Sequence, residues 1–379
     1  MGNKNFKLFS IITITLILLM AVAAAGCTTQ QTTTPTATAT PLPMTKTITD
    51  SVGRSVTIPY TITRMSNPYY GYQFVLYMLG VGDTNVASYS SFNTNPTILS
   101  FDPRAANMSG AWSGDSVNME QLLAVQPQVI FANPPSQDNR VYTVLNASIP
   151  VVEVDYSSVD GFIKAVSIAG DVFGGNAQET ANKYVSYVND EYANITSRVA
   201  NIPSSQRQVF LQTTYYEGTG WQVYGDDDYD AAVLTKCGGI NAYTVNGTPV
   251  LTEEQALVYA QNATIIFTND ASTMYKIKND SAWQNVPAVK TNQIHVFPIG
   301  VIRWFAPGPE YGGLLPNWAA KSMYPDKFQD VDLASQMKYF YPTFMHYNIS
   351  DQEVNAFMDN INSNIWQALT LNPVEVIPQ

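Results

Sequence analysis

The sequence contains one pattern twice, as EQLLAVQPQVIFAN at residues 120–133 and as EQALVYAQNATIIFTN at residues 254–269. Each copy begins with Glu-Gln-x-Leu, crosses a polar break and ends in an apolar run that closes with Ile-Phe-x-Asn. A short helix followed by a buried apolar strand is one step of an α/β sheet, so its recurrence predicts two related lobes. Coincidence is the alternative, because Glu-Gln-x-Leu is common in helices. The shared strand and trailing asparagine favour a repeat.

The strongest helical pattern of the chain lies between the two copies, at residues 176–199. Its apolar residues recur at three- and four-residue spacing on one stripe: Ala177, Ala181, Tyr184, Val185, Val188, Tyr192 and Ile195. A helix of this length spans roughly 36 Å at about 1.5 Å per residue. It is therefore long enough to bridge two lobes, which would then move little relative to each other.

The N-terminus reads as an export signal. Two lysines precede an uncharged apolar stretch at residues 9–25, which is shorter than the ~20 apolar residues a membrane-spanning helix needs. Small residues lead into Cys27, as in a prokaryotic lipobox, so we predict cleavage before Cys27 and lipidation of its thiol. An uncleaved anchor helix is the alternative. Either way, the protein is exported and held on the outer face of the cytoplasmic membrane.

These patterns divide the chain. We predict a signal peptide at 1–26, a Thr/Pro-rich tether at 27–45, an N-terminal lobe at 46–175, a connecting helix at 176–203 and a C-terminal lobe at 204–379. Within the lobes we expect a hairpin over 45–59, strands at 60–65 and 208–212, and a last helix opened by a capping box of Ser350 and Glu353.

Composition excludes several functions. The 379 residues carry a formal net charge of −11 with only 19 Lys plus Arg, in no cluster, which argues against a nucleic-acid partner. The two cysteines and two histidines have no paired spacing, so we expect no resident metal and no cofactor. There is no GxSxG, HExxH or Walker motif, and the acidic GDDDYD at 225–230 lacks a partner base and does not fit an EF-hand. We expect no catalytic residues, and hence no enzyme.

Glycosylation sequons are frequent. They occur at Asn107, Asn146, Asn194, Asn246, Asn262, Asn279 and Asn348. On an exported chain with a lipobox, this number leads to the hypothesis of a glycoprotein on an archaeal cell surface. A structural or adhesive surface protein is thus a rival function, although adhesins tend to repeat many times.

Several segments resemble the substrate-binding lipoproteins of ABC importers, in the class whose two lobes are joined by one long helix. They are DSVGRSVTIP, SVNMEQLLAVQPQVIF, FLQTTYY, KCGGIN, LTEEQALVYAQNATIIF, SAWQNVPAVKTNQIHVFP and PGPEYGGLLPNWAAKSMYPDKF, spread over residues 46–330. The resemblance implies two Rossmann-like α/β lobes with a ligand cleft between them. It also implies a monomer that delivers its ligand to an ABC permease dimer with ATPase subunits.

The resemblance further implies which ligands and contacts to expect. Members of the class bind ferric siderophores, haem, cobalamin (a corrinoid) and, in one branch, molybdate or tungstate. We expect an iron chelate or similar metal complex, with an oxyanion or a corrinoid as the alternative. An acidic residue on each lobe docks onto permease arginines in this class, and by position these are Glu120 and Glu254. The alternative is that both are ordinary first-turn helix residues.

Ligands of two-lobe α/β proteins bind where loops converge at strand ends. The predicted loops are 67–72, the segment around Trp112, 133–140, 214–229, 269–275 and 300–310. Their aromatic side chains would wall a cleft for a flat or bulky ligand, and their arginines would contact carboxylate or oxyanion oxygens. The predicted ligand residues are Tyr69, Tyr70, Trp112, Arg140, Tyr215, Trp221, Tyr229, Arg303 and Trp304.

Overall fold

The computed structural model describes residues 44–114, 116–145 and 148–363. The predicted signal peptide, Cys27 and nearly all of the tether lie outside these residues. The strands are β1 Thr45–Thr49, β2 Ser55–Pro59, β3 Met65–Ser66, β4 Asn85–Tyr89, β5 Ser109–Trp112, β6 Val129–Ala132, β7 Val151–Glu153, β8 Val209–Tyr216, β9 Gly220–Val223, β10 Ile240–Asn241, β11 Val250–Leu251, β12 Ile265–Thr268 and β13 Ile294–Val296.

The helices alternate with these strands. They are α1 Tyr70–Met78, α2 Pro96–Phe101, α3 Met119–Ala124, α4 Val141–Leu145, α5 Val159–Phe173, α6 Gly175–Val199, α7 Tyr229–Lys236, α8 Glu253–Ala260, α9 Ala271–Asn279, α10 Pro287–Lys290, α11 Pro309–Gly313, α12 Leu315–Met323, α13 Leu333–Phe344 and α14 Asp351–Ser363. None of the helices in the part of the chain described here has the length and apolar character needed to cross a bilayer.

The chain begins with the predicted hairpin. Strands β1 and β2 pair antiparallel around Gly53, whose φ of +85° lies in the region that favours glycine. The Asp50 carboxylate closes the turn by accepting from the Arg54 amide at 2.9 Å. Arg54 also pairs with Glu153 at the end of β7, 2.9 Å away, which fixes the hairpin to the first lobe.

The first lobe is a parallel sheet in the order β5-β4-β3-β6-β7. All of its strands end at the same edge, because helices carry the chain back between them. The predicted strand at 60–65 is wrong in extent, since β3 holds only Met65 and Ser66. The Gln128 side chain accepts from the amides of Thr63 and Arg64 at 2.7 and 3.0 Å. These amides therefore do not enter the sheet.

The second lobe is a mixed sheet built around β8. Strands β10, β12 and β13 run parallel to it, and β9 and β11 form an antiparallel extension. The predicted strand at 208–212 is present but longer. In both lobes the repeated segment forms a helix and then an inner strand, β6 or β12, between the lobe's first strand and its last. The predicted two-lobe repeat is confirmed.

One long helix, α6, joins the lobes as predicted, and its stripe is buried except for Val185, which is half-buried. Near its start it packs on α5 so closely that a Cβ on Gly170 would lie 2.7 Å from the Cβ of Ala181. Further along, the Tyr184 hydroxyl donates to the Pro309 carbonyl of the second lobe at 2.7 Å. A single apolar cluster runs from Phe131 through Tyr184 to Phe267, so the helix shares one core with both lobes.

Candidate ligand-binding site

A cavity of about 790 Å³ lies between the two lobes. Its wall consists mainly of tyrosines from the first lobe and of a short acidic segment from the second. The lining residues are Pro68, Tyr69, Tyr70, Gly71, Tyr72, Tyr89, Ser91, Phe92, Asn133, Gln137, Tyr156, Ser157, Asp227, Asp228, Tyr229, Gly247, Thr248 and Pro307.

The first-lobe wall arises at the ends of parallel strands. Tyr69 follows β3, Tyr89 ends β4, Asn133 follows β6 and Tyr156 follows β7. Because these strands end at one edge, their following residues converge, as expected for a ligand site in an α/β protein.

Tyr69 is held rigidly in this wall. Its hydroxyl accepts from the Asn133 amide at 2.7 Å and donates to the Asp138 carboxylate at 2.7 Å. Burial raises the Tyr69 pKa well above its usual range, and the negative charge of Asp138 adds to the effect. The ring meets that of Tyr156 edge-on, with centroids 5.5 Å apart. Tyr69 therefore presents a fixed, neutral aromatic face.

Arg140 supports the wall from behind. Its guanidinium pairs with Asp138 through two nitrogens, at 2.5 and 2.8 Å, and donates to the Tyr89 hydroxyl. It also lies over the rings of Tyr89 and Trp112, 5.1 and 5.6 Å from their centroids. Burial alone would raise the pKa of Asp138, but hydrogen bonds from Arg140 and Tyr69 lower it overall. Arg140 is thus neutralised by Asp138 and orients two of the cavity's tyrosines.

The second lobe contributes the turn before α7. Asp227 accepts from the Gly247 amide at 2.6 Å, which joins the turn to a neighbouring loop. Asp228 caps α7 by accepting from the Asp230 amide at 2.9 Å. Burial raises the pKa of Asp228 to about 6, and the charge of Asp227 raises it further, against the hydrogen bonds of the cap. The second lobe therefore presents two neighbouring carboxyl groups to the cavity.

The floor of the cavity is a direct backbone contact between the lobes. A Cβ on Gly71, in the first turn of α1, would lie 1.9 Å from the carbonyl oxygen of Pro307. Only glycine allows this approach. The segment around Pro307 thus closes the cleft from below.

The family model of the periplasmic binding proteins matches residues 69–298. The chain belongs to this family. The matched region includes nearly all of the first-lobe wall of the cavity, the connecting helix, the sheet of the second lobe and, except for β3, the sheet of the first lobe.

Curated relatives of this periplasmic binding protein carry different ligands in their names. This chain is 25% identical over 335 residues to the molybdate-binding protein MolA of Haemophilus influenzae. The aligned region covers 82% of this chain and 93% of MolA. It is 23% identical over 256 residues to the iron(3+)-hydroxamate-binding protein YxeB of Bacillus subtilis, covering 64% and 74% of the two chains. The predicted resemblance is therefore confirmed.

Solved structures share the fold. A periplasmic solute-binding protein of Veillonella parvula superposes with a TM-score of 0.69 at 23% identity, over 84% of this chain and 98% of its own. MolA with bound molybdate gives a TM-score of 0.68 at 22% identity, over 80% and 99%. The predicted architecture of two α/β lobes and a connecting helix is confirmed.

Three predicted ligand residues of this periplasmic binding protein line the cavity, namely Tyr69, Tyr70 and Tyr229. Arg303 is exposed outside the lining, with its guanidinium 5.5 Å from the Phe305 ring centroid. Its charge acts on the pKa values of Tyr70 and Tyr229, so it lies near the cavity.

The three predicted tryptophans are buried in the core instead. Trp112 donates to the Ser66 hydroxyl at 2.9 Å, Trp221 packs 4.4 Å from Trp283, and Trp304 is fully buried. Each has an exposure of 1% or less. Since the core encloses these indoles, the structure brings none of them to the cavity, and we leave them out of the proposed set.

Tyr215 is also away from the cavity. It packs on Trp221 with centroids 4.9 Å apart, and the Lys276 ammonium lies 5.4 Å from its ring centroid. The predicted loop at 269–275 supplies no lining residue either.

Other lining residues were not predicted, notably Tyr89, Phe92, Tyr156 and the carboxyl groups of Asp227 and Asp228. Assigning β4 and β7 as strands would have found the aromatic ones, because they lie at or just after the carboxyl ends of those strands. Asp227 and Asp228 belong to the acidic run at 225–230, which the sequence shows but does not position.

The docking candidates Glu120 and Glu254 occupy equivalent places. Each is the second residue of a short helix, α3 or α8, and each is exposed. Asn118 and Thr252 cap the two helices by accepting from Gln121 and Gln255. The helix dipole also favours a carboxylate here, so placement alone does not separate docking from a structural role.

The described residues contain no cluster of three or more His, Cys, Asp or Glu side chains that could hold a metal ion. His295 lies in β13 with its ring 6.3 Å from that of Trp318, and burial lowers its pKa to about 4. It is therefore neutral at physiological pH and packs, half-buried, beside Trp318.

Proposed function

We propose that this protein is the extracytoplasmic solute-binding component of an ABC importer and captures an iron chelate or a similar metal complex. The cleft of about 790 Å³ between two α/β lobes carries the proposal. Cavities of roughly 300–1,000 Å³ suit ligands of the size of a small organic complex. The protein performs no chemistry on its ligand, holds no cofactor and hands the ligand to a permease.

The aromatic wall supports a bulky guest over a small ion. A single tetrahedral oxyanion would leave most of the cavity filled with water, whereas an organic chelate can stack on Tyr69, Tyr70 and Tyr229. YxeB, a relative named for iron(3+) hydroxamate, agrees with this choice. MolA, named for molybdate, supports the oxyanion alternative, for which Arg303 is the available cation. A corrinoid remains a further alternative of the same kind.

The remaining parts of the proposal concern the membrane. Lipidation at Cys27 would hold the monomer on the outer face of the cytoplasmic membrane, and the tether would let it reach the permease. Glu120 and Glu254 would dock on the permease dimer, which works with its ATPase subunits. The described sequon asparagines, all exposed, suit a glycoprotein on an archaeal surface: Asn107, Asn194, Asn246, Asn262, Asn279 and Asn348. A surface adhesin also suits exposed sequons, but it has no need of an enclosed cleft.

A thermal-shift screen of residues 46–379 tests the ligand. The panel contains ferric trihydroxamates, haem, cobalamin, molybdate and tungstate. A ligand present at 100 times its dissociation constant stabilises the folded protein by about 2.7 kcal/mol, which raises the melting temperature measurably. We expect a shift with a ferric chelate. A shift with molybdate or tungstate alone would replace the chelate by an oxyanion, and no shift with any of these would contradict a transport role.

A further inference from the structure

The charge of the cavity lining is one-sided. Among the lining residues there is no arginine, lysine or histidine, whereas Asp227 and Asp228 are both present. The first lobe supplies neutral tyrosine and amide groups to the same space. Among the described residues that line the cavity, the formal charges are therefore all negative.

These two carboxylates have no cationic partner in the described residues. The ion pairs there involve other acids, and neither Asp227 nor Asp228 lies within 4.0 Å of a lysine or arginine nitrogen. Asp227 is exposed to the cavity and Asp228 is 9% exposed. Their hydrogen bonds come from backbone amides, which leave the negative charge in place.

A nearly buried carboxylate without a cation is costly. At Asp228 this cost appears as a pKa raised to about 6 by burial, with the neighbouring Asp227 adding to it. A positive charge bound beside the pair would offset the repulsion between them and favour the ionised form of Asp228. A further acid is near: burial raises the pKa of Asp230, two residues on, and the charge of Asp228 raises it further.

Arg140, which donates to the lining residue Tyr89, is already paired with Asp138. Arg303 does not fill this role either. It is exposed, lies outside the lining, and its guanidinium is near the Phe305 ring. Its charge is felt by the tyrosines Tyr70 and Tyr229, and it forms no ion pair with the aspartates among the described residues.

We propose that Asp227 and Asp228 form a recognition site for a positively charged group of the ligand, so that the cavity selects cationic chelates over anionic ones. This inference rests on the proposed function, since it names the charge of the cargo that the same cleft takes. The tyrosine wall would hold the body of the complex while the aspartates bind an ammonium or similar group at its edge.

The experiment uses three probes with the same iron centre. They are the ferric complexes of desferrioxamine B with its pendant amine free, acetylated or succinylated, which carry charges of +1, 0 and −1. Binding to the mature protein is measured by quenching of tyrosine and tryptophan fluorescence at pH 7.5 and low salt. We expect the +1 probe to bind at least about tenfold more tightly than the −1 probe, with the neutral probe between them.

Asparagine variants test the two residues. Asp227→Asn keeps an oxygen to accept from Gly247, and Asp228→Asn keeps a good helix cap, so both should fold. Each should weaken binding of the +1 probe by about 3- to 10-fold and change binding of the neutral probe by less than about twofold. Asp226→Asn is the matched control, because Asp226 is exposed on the same turn and does not line the cavity.

The following results would overturn the inference. Equal binding of the three probes, or tightest binding of the −1 probe, would remove charge selection while leaving the chelate carrier in place. If the aspartate variants lose the same affinity for all three probes, the effect of the substitutions is structural. If Asp226→Asn loses as much affinity for the +1 probe as they do, the effect comes from the overall negative charge and not from these two residues. If none of the probes binds, the proposed carriage of a ferric chelate and the charge inference both fail.

Discussion

At the scale of single residues, Glu310 is a tightly hydrogen-bonded ionisable group near the cleft. It is fully buried and accepts from the amides of Val301 and Ile302, each at 2.9 Å, and from the Tyr341 hydroxyl. These bonds pin the loop that follows β13 and carries Arg303. Burial raises the Glu310 pKa to about 7, despite the stabilising hydrogen bonds.

We predict that Glu310 makes stability depend on pH. Its folded-state pKa is raised above the unfolded value of about 4.5, so its contribution is full below pH ~4.5 and is lost as pH rises through 7. Glu310→Gln cannot titrate. Between pH 5 and pH 8, wild type should therefore lose about 2–3 kcal/mol of unfolding free energy relative to Glu310→Gln.

Urea unfolding of both proteins at pH 5, 6, 7 and 8 measures this difference. The comparison cancels the other titrating groups, such as Asp228, because both proteins contain them. A difference that stays constant across this range would mean that Glu310 is ionised in the folded state as it is in the unfolded state, so that its pKa is not raised.

Residue-level burial was the part of the site that the sequence could not predict. Tyr69 and Trp112 both follow or end strands of the first lobe, yet one lines the cavity and the other donates to Ser66 inside the core. Local sequence places an aromatic on a loop, but the packing of neighbouring elements decides which way it faces. Packing also decides the role of Arg140, whose guanidinium forms an ion pair with Asp138 and so does not face the cavity as a free charge.

At the scale of elements, the connecting helix α6 packs closely on α5. Ala181 is fully buried, and Gly170 faces it with no room for a Cβ. Small residues at such a crossing let two helices approach closely, so added methylene groups must displace one of them.

We predict that Ala181→Leu lowers the free energy of unfolding by about 1–3 kcal/mol through overpacking. Asn182→Leu is the matched control, since it places the same side chain on the next, exposed position of the same helix. That variant should change stability by less than about 0.5 kcal/mol. Equal effects of the two changes in chemical denaturation would contradict this packing.

Elements with a strong local pattern were predictable. The period of α6, the hairpin around Gly53 and the capping box of Ser350 and Glu353 each follow from nearby residues and are present. Strands β4 and β7 were missed because they are short and lack alternation. Their pairing is set by neighbours distant in sequence, which local pattern does not contain.

At the scale of the whole molecule, the repeat places an equivalent short helix on each lobe. Glu120 and Glu254 are exposed at the same place on α3 and α8, one on each lobe. A permease built as a dimer would offer two equivalent basic sites to them, and paired charges set register and association rate.

We predict that Glu120→Gln with Glu254→Gln lowers ligand-dependent ATPase activity of the reconstituted importer at least about tenfold at limiting binding protein. Ligand affinity should not change, because neither residue lines the cavity. Glu179→Gln, at an exposed position of α6, serves as the control. If the double variant stimulates the ATPase activity as well as wild type does, neither glutamate docks on the permease, and both are ordinary first-turn helix residues.

The shared apolar cluster that passes from Phe131 along α6 to Phe267 has a consequence for calorimetry. Two lobes that share one hydrophobic core should unfold together and give a single heat-absorption peak instead of two. Occupancy of the cleft would then delay melting everywhere at once. Trp318 lies inside that same cluster, so its emission should change at the temperature of the single heat-absorption peak and move with that peak when a ligand binds.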